Sequence, residues 1–297
     1  MPMPTDDLLK PIPEYCVTDR RLLICVGEDP ALLHGVRFVS SFFQPAPDLR
    51  IDLAFTPGAG LRNGDPNRLS SDEARKWATS MLMEKGFTVG APRSDDVWEP
   101  VLSIRDIALI AEKHRYDAVL LGRRAIHRLE EHLDTEFNEA VFDRHLDFPF
   151  WICREPDSTR TNVLLCVDGS KPGLCAADHV GWICASESRH QICVAYLAAP
   201  EKRDYRDEIL ILDNAVKMLQ VNGIPESRIT TKVLVEKDYA RGILEEAQRG
   251  RYAVVAVGRA GAGRGMMVER QFGSISLLLA RKLEGASLWV CGYPCKL

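Results

Sequence analysis

Thr161-Asn-Val-Leu-Leu-Cys-Val-Asp-Gly-Ser170 decides the fold. Val163 to Val167 are apolar throughout, as a strand buried on both faces of a parallel sheet should be. Asp168-Gly169-Ser170 then turns the chain into a helix, with Ser170 as its N-cap and Pro172 in its first turn. Working outward, further strands are expected at 191–197, 229–236, 252–257 and 287–291. Helices are expected at 172–186, 203–222, 239–249 and 272–283. The 203–222 segment is amphipathic through Ile209, Leu212, Val216 and Leu219, and is stopped by Gly223 and Pro225. Strands alternating with helices argue for right-handed crossovers and a parallel sheet.

Val257-Gly-Arg-Ala-Gly261, continuing to Gly273-Ser274, reads as a strand entering a glycine-rich loop before a helix. In an open parallel sheet the first and fourth strands can lie side by side, and ligands bind at the crevice beyond their C-terminal ends. Asp168 at one strand end suits ribose or base. Bare amides and a helix N-terminus at the other suit phosphate. Together they suit an adenine nucleotide.

The pattern occurs twice. Arg21-Leu-Leu-Ile-Cys-Val26 aligns with Asn162-Val-Leu-Leu-Cys-Val167 without a gap, and Leu33 and Val39 continue the match to Leu174 and Val180. Further on, Ala111, Arg115, Tyr116, Val119, Gly122 and Arg123 match Ala247, Arg251, Tyr252, Val255, Gly258 and Arg259. Trp151, Cys153 and Pro156 match Trp289, Cys291 and Pro294. The repeat is too long for a solenoid unit. It means two tandem doubly wound α/β domains, 1–156 and 157–297, each a five-stranded parallel sheet flanked by helices, with 154–161 as linker. In the first copy, strands are expected at 22–26, 51–56, 87–89, 118–121 and 150–153. Helices are expected at 31–43, 71–85, 103–114 and 135–145. The apolar fifth strand of each copy is an edge that needs cover, so the copies are expected to pair as an intramolecular pseudo-dimer. Pairing of whole chains as a homodimer is left open.

Composition narrows the function. The 297 residues carry a net charge of −4 and contain no basic block of the kind that meets nucleic acid. No apolar run is long enough to span a membrane, and the polar, acidic start is unlike a secretory signal, so a cytoplasmic protein is expected. The nine cysteines follow no metal-ligand spacing, and those in apolar runs are expected to be buried reduced thiols. No nucleophile with a base partner and no P-loop is present, so no catalytic residue is assigned, and the scattered histidines give no metal site.

These residues resemble the universal stress protein family, whose members open with an apolar strand and an Asp-Gly-Ser turn. They carry a loop of the form Gly, two residues, Gly, nine residues, Gly, Ser/Thr after strand 4. The resemblance covers most of 20–294 and is strongest in the second half. It implies that Val167 and Asp168 contact adenosine and that Tyr196 flanks the base. It further implies that Gly258, Gly261, Gly273 and Ser274 hold the phosphates of ATP or AMP, with or without magnesium. Val257, Arg264 and Ile275 complete the expected set. Eleven residues separate Gly261 from Gly273 in place of nine; the added length either forms a wider phosphate loop, with Arg264 and Arg270 available to a γ-phosphate, or distorts the site.

The first copy departs further. Gly27 replaces Asp168, and the family spacing lands on Ala125, Thr135 and Glu136 where Gly, Gly and Ser are needed. A carboxylate there repels phosphate, so the first copy is expected to be a non-binding scaffold. The leading function is a nucleotide-binding regulatory or stress-response protein with an unidentified protein partner. A weak ATPase and a nucleotide-free interaction module are the alternatives.

Overall fold

The computed structural model describes residues 19–29, 33–56, 69–90, 104–122, 148–201, 203–259 and 274–292. The first half contains β1 (Arg20–Val26), α1 (His34–Phe42), β2 (Leu49–Phe55), α2 (Ser71–Glu84), β3 (Val89–Gly90), α3 (Ile104–His114), β4 (Ala118–Leu121) and β5 (Phe150–Cys153). The second half contains β6 (Val163–Val167), α4 (Lys171–Cys184), β7 (Ile192–Ala198), α5 (Tyr205–Val221), β8 (Ile229–Val235), α6 (Tyr239–Arg249), β9 (Val254–Gly258), α7 (Ser274–Lys282) and β10 (Ser287–Cys291). The helix expected at 135–145 lies outside the described residues.

Local signals account for the helix ends. Ser70 and Glu73 close a capping box on α2. Ser170, Asp204 and Asp238 cap α4, α5 and α6 through their side chains. α2 and α5 end alike, at Gly86 (φ +87°) and Gly223 (φ +91°). α3 and α6 are followed by the repeat-matched Arg115 (φ 52°) and Arg251 (φ 49°), both left-handed although neither is glycine.

The strands form one ten-stranded sheet in the order β3-β2-β1-β4-β5-β10-β9-β6-β7-β8. The α/β expectation of two five-stranded parallel halves holds, and the halves share one sheet. Neighbours within each half are parallel. At the junction β5 and β10 are antiparallel, with Trp151 opposite Trp289. α1, α2, α4 and α5 cover one face around Phe38, Leu82, Val180 and Leu219. α3, α6 and α7 cover the other around Ile107, Ile243 and Leu279.

At the junction the two indole rings stack with centroids 4.0 Å apart and planes at 4°. Phe38, Phe42 and Phe43 from the first half surround them. A polar seam runs alongside. Buried Arg20 bonds Asp48 at 3.0 Å and Glu187 at 3.1 Å, while Gln44 N donates to the other Glu187 oxygen. His190 stacks on Phe42 at 3.9 Å and bonds its carbonyl oxygen at 2.9 Å.

The segment 154–161, expected as the linker, packs against the second half. Arg154 Nε donates to Ala280 O, Pro156 bridges Gly285, and Arg160 reaches Asp157 and Gln248, which ties the segment to the second half. Cys25, Cys153, Cys166, Cys184, Cys193 and Cys291 are buried free thiols, but Cys175 is disulfide-bonded. Burial pushes the Cys25, Cys153 and Cys184 thiols up to about 12, so they act as small apolar side chains.

Candidate functional site

β6 and β9 are neighbours, yet the chain leaves β6 through α4 toward β7 on the opposite side. Their C-terminal ends therefore open a crevice at a topological switch point. Val167 is in register with Tyr196 of β7. Leu165 and Ala256 form the last pair between β6 and β9, and the two strands then run on to Val167 and Gly258.

Three bare positions let these ends meet. Gly169 has φ +77°, and a Cβ there would fall 2.9 Å from Ile211 Cδ1. A Cβ on Gly173 would meet Asp168 Oδ1 at 3.0 Å. On Gly258 it would lie 2.8 Å from both Gly173 N and the Pro172 carbonyl carbon. The end of β9 thus rests directly on the first turn of α4. The exposed Asp168 carboxylate accepts from Ser170 N at 3.0 Å and from Ser170 Oγ, and Ser170 Oγ accepts from Gly173 N at 3.1 Å. Asp168 therefore also holds the turn that starts α4.

Tyr196 is half-buried at the rim. Burial, then Tyr239, Glu208, Asp207 and Asp168, push its phenol above the ordinary value, so it stays a neutral donor. Arg203 forms a fork on Glu208 at 2.9 and 2.8 Å and holds that carboxyl below the usual range.

The structure brings Val167, Asp168, Tyr196, Val257 and Gly258 to one end of the sheet. Ser274 opens α7, and Ile275 packs against the second core. Gly261, Arg264 and Gly273 lie outside the described residues. Arg259 is drawn to β10: its N donates to Cys291 O at 2.7 Å and its guanidinium lies over Gly292. Among the described residues no three His, Cys, Asp or Glu side chains are grouped to hold a metal ion, and no helix is long and apolar enough to cross a membrane.

In the first half Gly27 follows β1 where Asp168 follows β6. The next residue, Glu28, is buried, and its carbonyl oxygen accepts from Leu69 N at 2.8 Å. Ala125, Thr135 and Glu136 lie outside the described residues. Two site features escaped the sequence reading. Register makes Phe55 the counterpart of Tyr196, since Cys25 pairs with Ala54 as Cys166 pairs with Ala195. Gly173 is the other. Its signal was a glycine in a first helical turn, where propensity disfavours it and close approach explains it.

No family model and no curated protein matches the sequence. Solved structures do match. A universal stress protein from Archaeoglobus fulgidus DSM 4304 is similar over 91% of this chain and 96% of its own, with TM-score 0.51 and 14% identity. A functionally unknown protein from Pseudomonas aeruginosa PAO1 is similar over 94% and 95%, with TM-score 0.49 and 14% identity. A universal stress protein solved in complex with cAMP is similar over 44% of this chain and 94% of its own, with TM-score 0.35 and 22% identity. The chain has the universal stress protein fold, in tandem.

Proposed function

We propose that the second half binds one adenine nucleotide, ATP or AMP, in the crevice between the ends of β6 and β9. In this reading the first half is a scaffold without nucleotide, and the halves stand as the two members of a pseudo-dimer. Val167 and Asp168 face adenosine and Tyr196 flanks the base. Phosphate goes to the Gly258 side, with Gly261, Arg264, Gly273 and Ser274 as the remaining candidates and Ile275 behind them. Any magnesium would come with the phosphates. Occupancy would set a regulatory surface for a protein partner.

The observation that carries this reading is the seating of Gly258 on the first turn of α4, beside the exposed Asp168 carboxylate. A side chain at Gly258 would separate the strand end from that turn. That close seating sets the end of β9, the first turn of α4 and an acidic residue together at a switch point, an arrangement that suits a nucleotide.

Calorimetry of the full chain with ATP, AMP and cAMP, with and without magnesium, tests the reading. A stoichiometry near one is expected. Asp168→Ala removes a charge-assisted hydrogen bond of about 1.5–3 kcal/mol, so affinity falls roughly tenfold to a hundredfold or more. A change at Gly27 leaves affinity unaltered. A stoichiometry of two, or undiminished binding in Asp168→Ala, overturns the assignment.

A further inference from the structure

The first half contains a pocket of about 380 Å³ between α2 and the β2–β3 edge. Leu53 and Val89 form its apolar floor, Arg75, Lys76, Thr79 and Ser80 form its wall, and Gly90 lies at its rim. The volume is that of a small-ligand site.

The repeat shows how this pocket arises. α2 and α5 terminate identically: Phe87 N bonds Leu82 O, and Ile224 N bonds Leu219 O, each at 3.1 Å. Aligned on those ends, Arg75 corresponds to Leu212 and Thr79 to Val216. Sheet register makes Leu53 correspond to Val194 and Val89 to Ile229. In the second half Leu212 and Val194 are buried in one core, and Val216, Ile229 and Val233 are half-buried against that same core. The apolar plug of one copy is a guanidinium and a hydroxyl in the other.

The chemistry of the wall points to an anion. Arg75 and Thr79, and Lys76 and Ser80, are i,i+4 pairs, so two cations and two hydroxyls line neighbouring rows of one helix face. Arg presents a planar fork, Lys a point charge, and the hydroxyls add donors, a set suited to phosphate oxygens. The nearby carboxylate of Asp52 serves the opposite face of the sheet, where it accepts from Tyr116 OH at 2.6 Å and pairs with Arg21 at 3.6 Å.

We propose that this pocket binds a small phosphorylated organic molecule, with phosphate on the α2 wall and carbon skeleton on Leu53 and Val89. The site is separate from the crevice at β6 and β9 and does not depend on the nucleotide reading.

The test is calorimetry and ligand-observed NMR of the full chain with ribose 5-phosphate, with ribose and inorganic phosphate as controls. Saturable binding of ribose 5-phosphate, weaker binding of phosphate and none of ribose are expected. Arg75→Leu with Thr79→Val, the residues of the second half, should weaken binding at least tenfold. Lys76→Gln and Ser80→Ala, at exposed positions that do not threaten folding, should each weaken it severalfold. Asp168→Ala should leave ribose 5-phosphate binding unchanged, which separates this site from the nucleotide crevice. The proposal falls if neither phosphate compound binds saturably, if the double variant and Lys76→Gln bind as the parent does, or if Asp168→Ala abolishes binding.

Discussion

Trp289 and Trp151 are stacked, equally buried and matched in the repeat, yet they differ by one hydrogen bond. Trp151 Nε1 donates to His179 Nε2 at 3.0 Å, whereas Trp289 Nε1 has no partner among the described residues. The repeat alignment explains the difference, because Phe38 occupies in α1 the place of His179 in α4 and offers no acceptor. Replacing Trp151 by Phe strands a buried acceptor on His179, a cost of about 1–3 kcal/mol beyond the lost ring area. Replacing Trp289 by Phe removes an unsatisfied donor and carries no such extra cost. Denaturant unfolding should therefore find Trp151→Phe the more destabilised variant by at least about 1 kcal/mol, and equal losses would contradict this account. The sequence aligned the two tryptophans through flanking Cys and Pro residues. It could not show the hydrogen bond, because His179 lies in a helix 28 positions away and only packing brings the two together.

Gly258 binds two elements, β9 and α4, by having no side chain. Gly258→Ala would place a carbon 2.8 Å from α4 backbone, which no rotamer change relieves. The helix start or the strand end must shift, so a loss of about 1–3 kcal/mol is expected by thermal or chemical unfolding. Nucleotide affinity should fall with it if the crevice is the binding site. Most elements were legible in the sequence. Buried strands such as 118–121 and 287–291 appear at their expected positions because unbroken apolar runs between turn residues leave little choice of boundary. β9 starts at Val254 and not at 252, because left-handed Arg251 delays the strand, and a non-glycine residue there gives no warning. The pocket under α2 was equally hidden. A pattern reading sees Arg75 and Thr79 as a solvated helix face, and only alignment with α5 shows that apolar residues belong there.

At the scale of the whole molecule, the seam between the halves makes stability depend on pH. Burial, reinforced by Arg189 and Arg228, holds His190 down at about 4 against an ordinary 6.5. A depressed folded value means the unfolded chain takes the proton first, so stability present above pH 6.5 is lost as pH falls toward 4. The contribution is on the order of 3 kcal/mol. Glu187 acts the other way. Burial raises its carboxyl, so its contribution improves as pH falls toward 4.5. The melting temperature should fall between pH 6.5 and 4, and His190→Gln should remove most of that decline. An unchanged pH profile in that variant would rule out His190 as the source. The antiparallel junction also has a consequence in biosynthesis. Phe150–Cys153 has one neighbour in its own half, β4, and waits for β10 to cover its other side. At about 5–20 residues per second, roughly 7–28 s of translation separates the emergence of the two strands. Should the first half fold as it emerges, it would show for that interval a bare, wholly apolar edge, open to a chaperone or a neighbouring nascent chain.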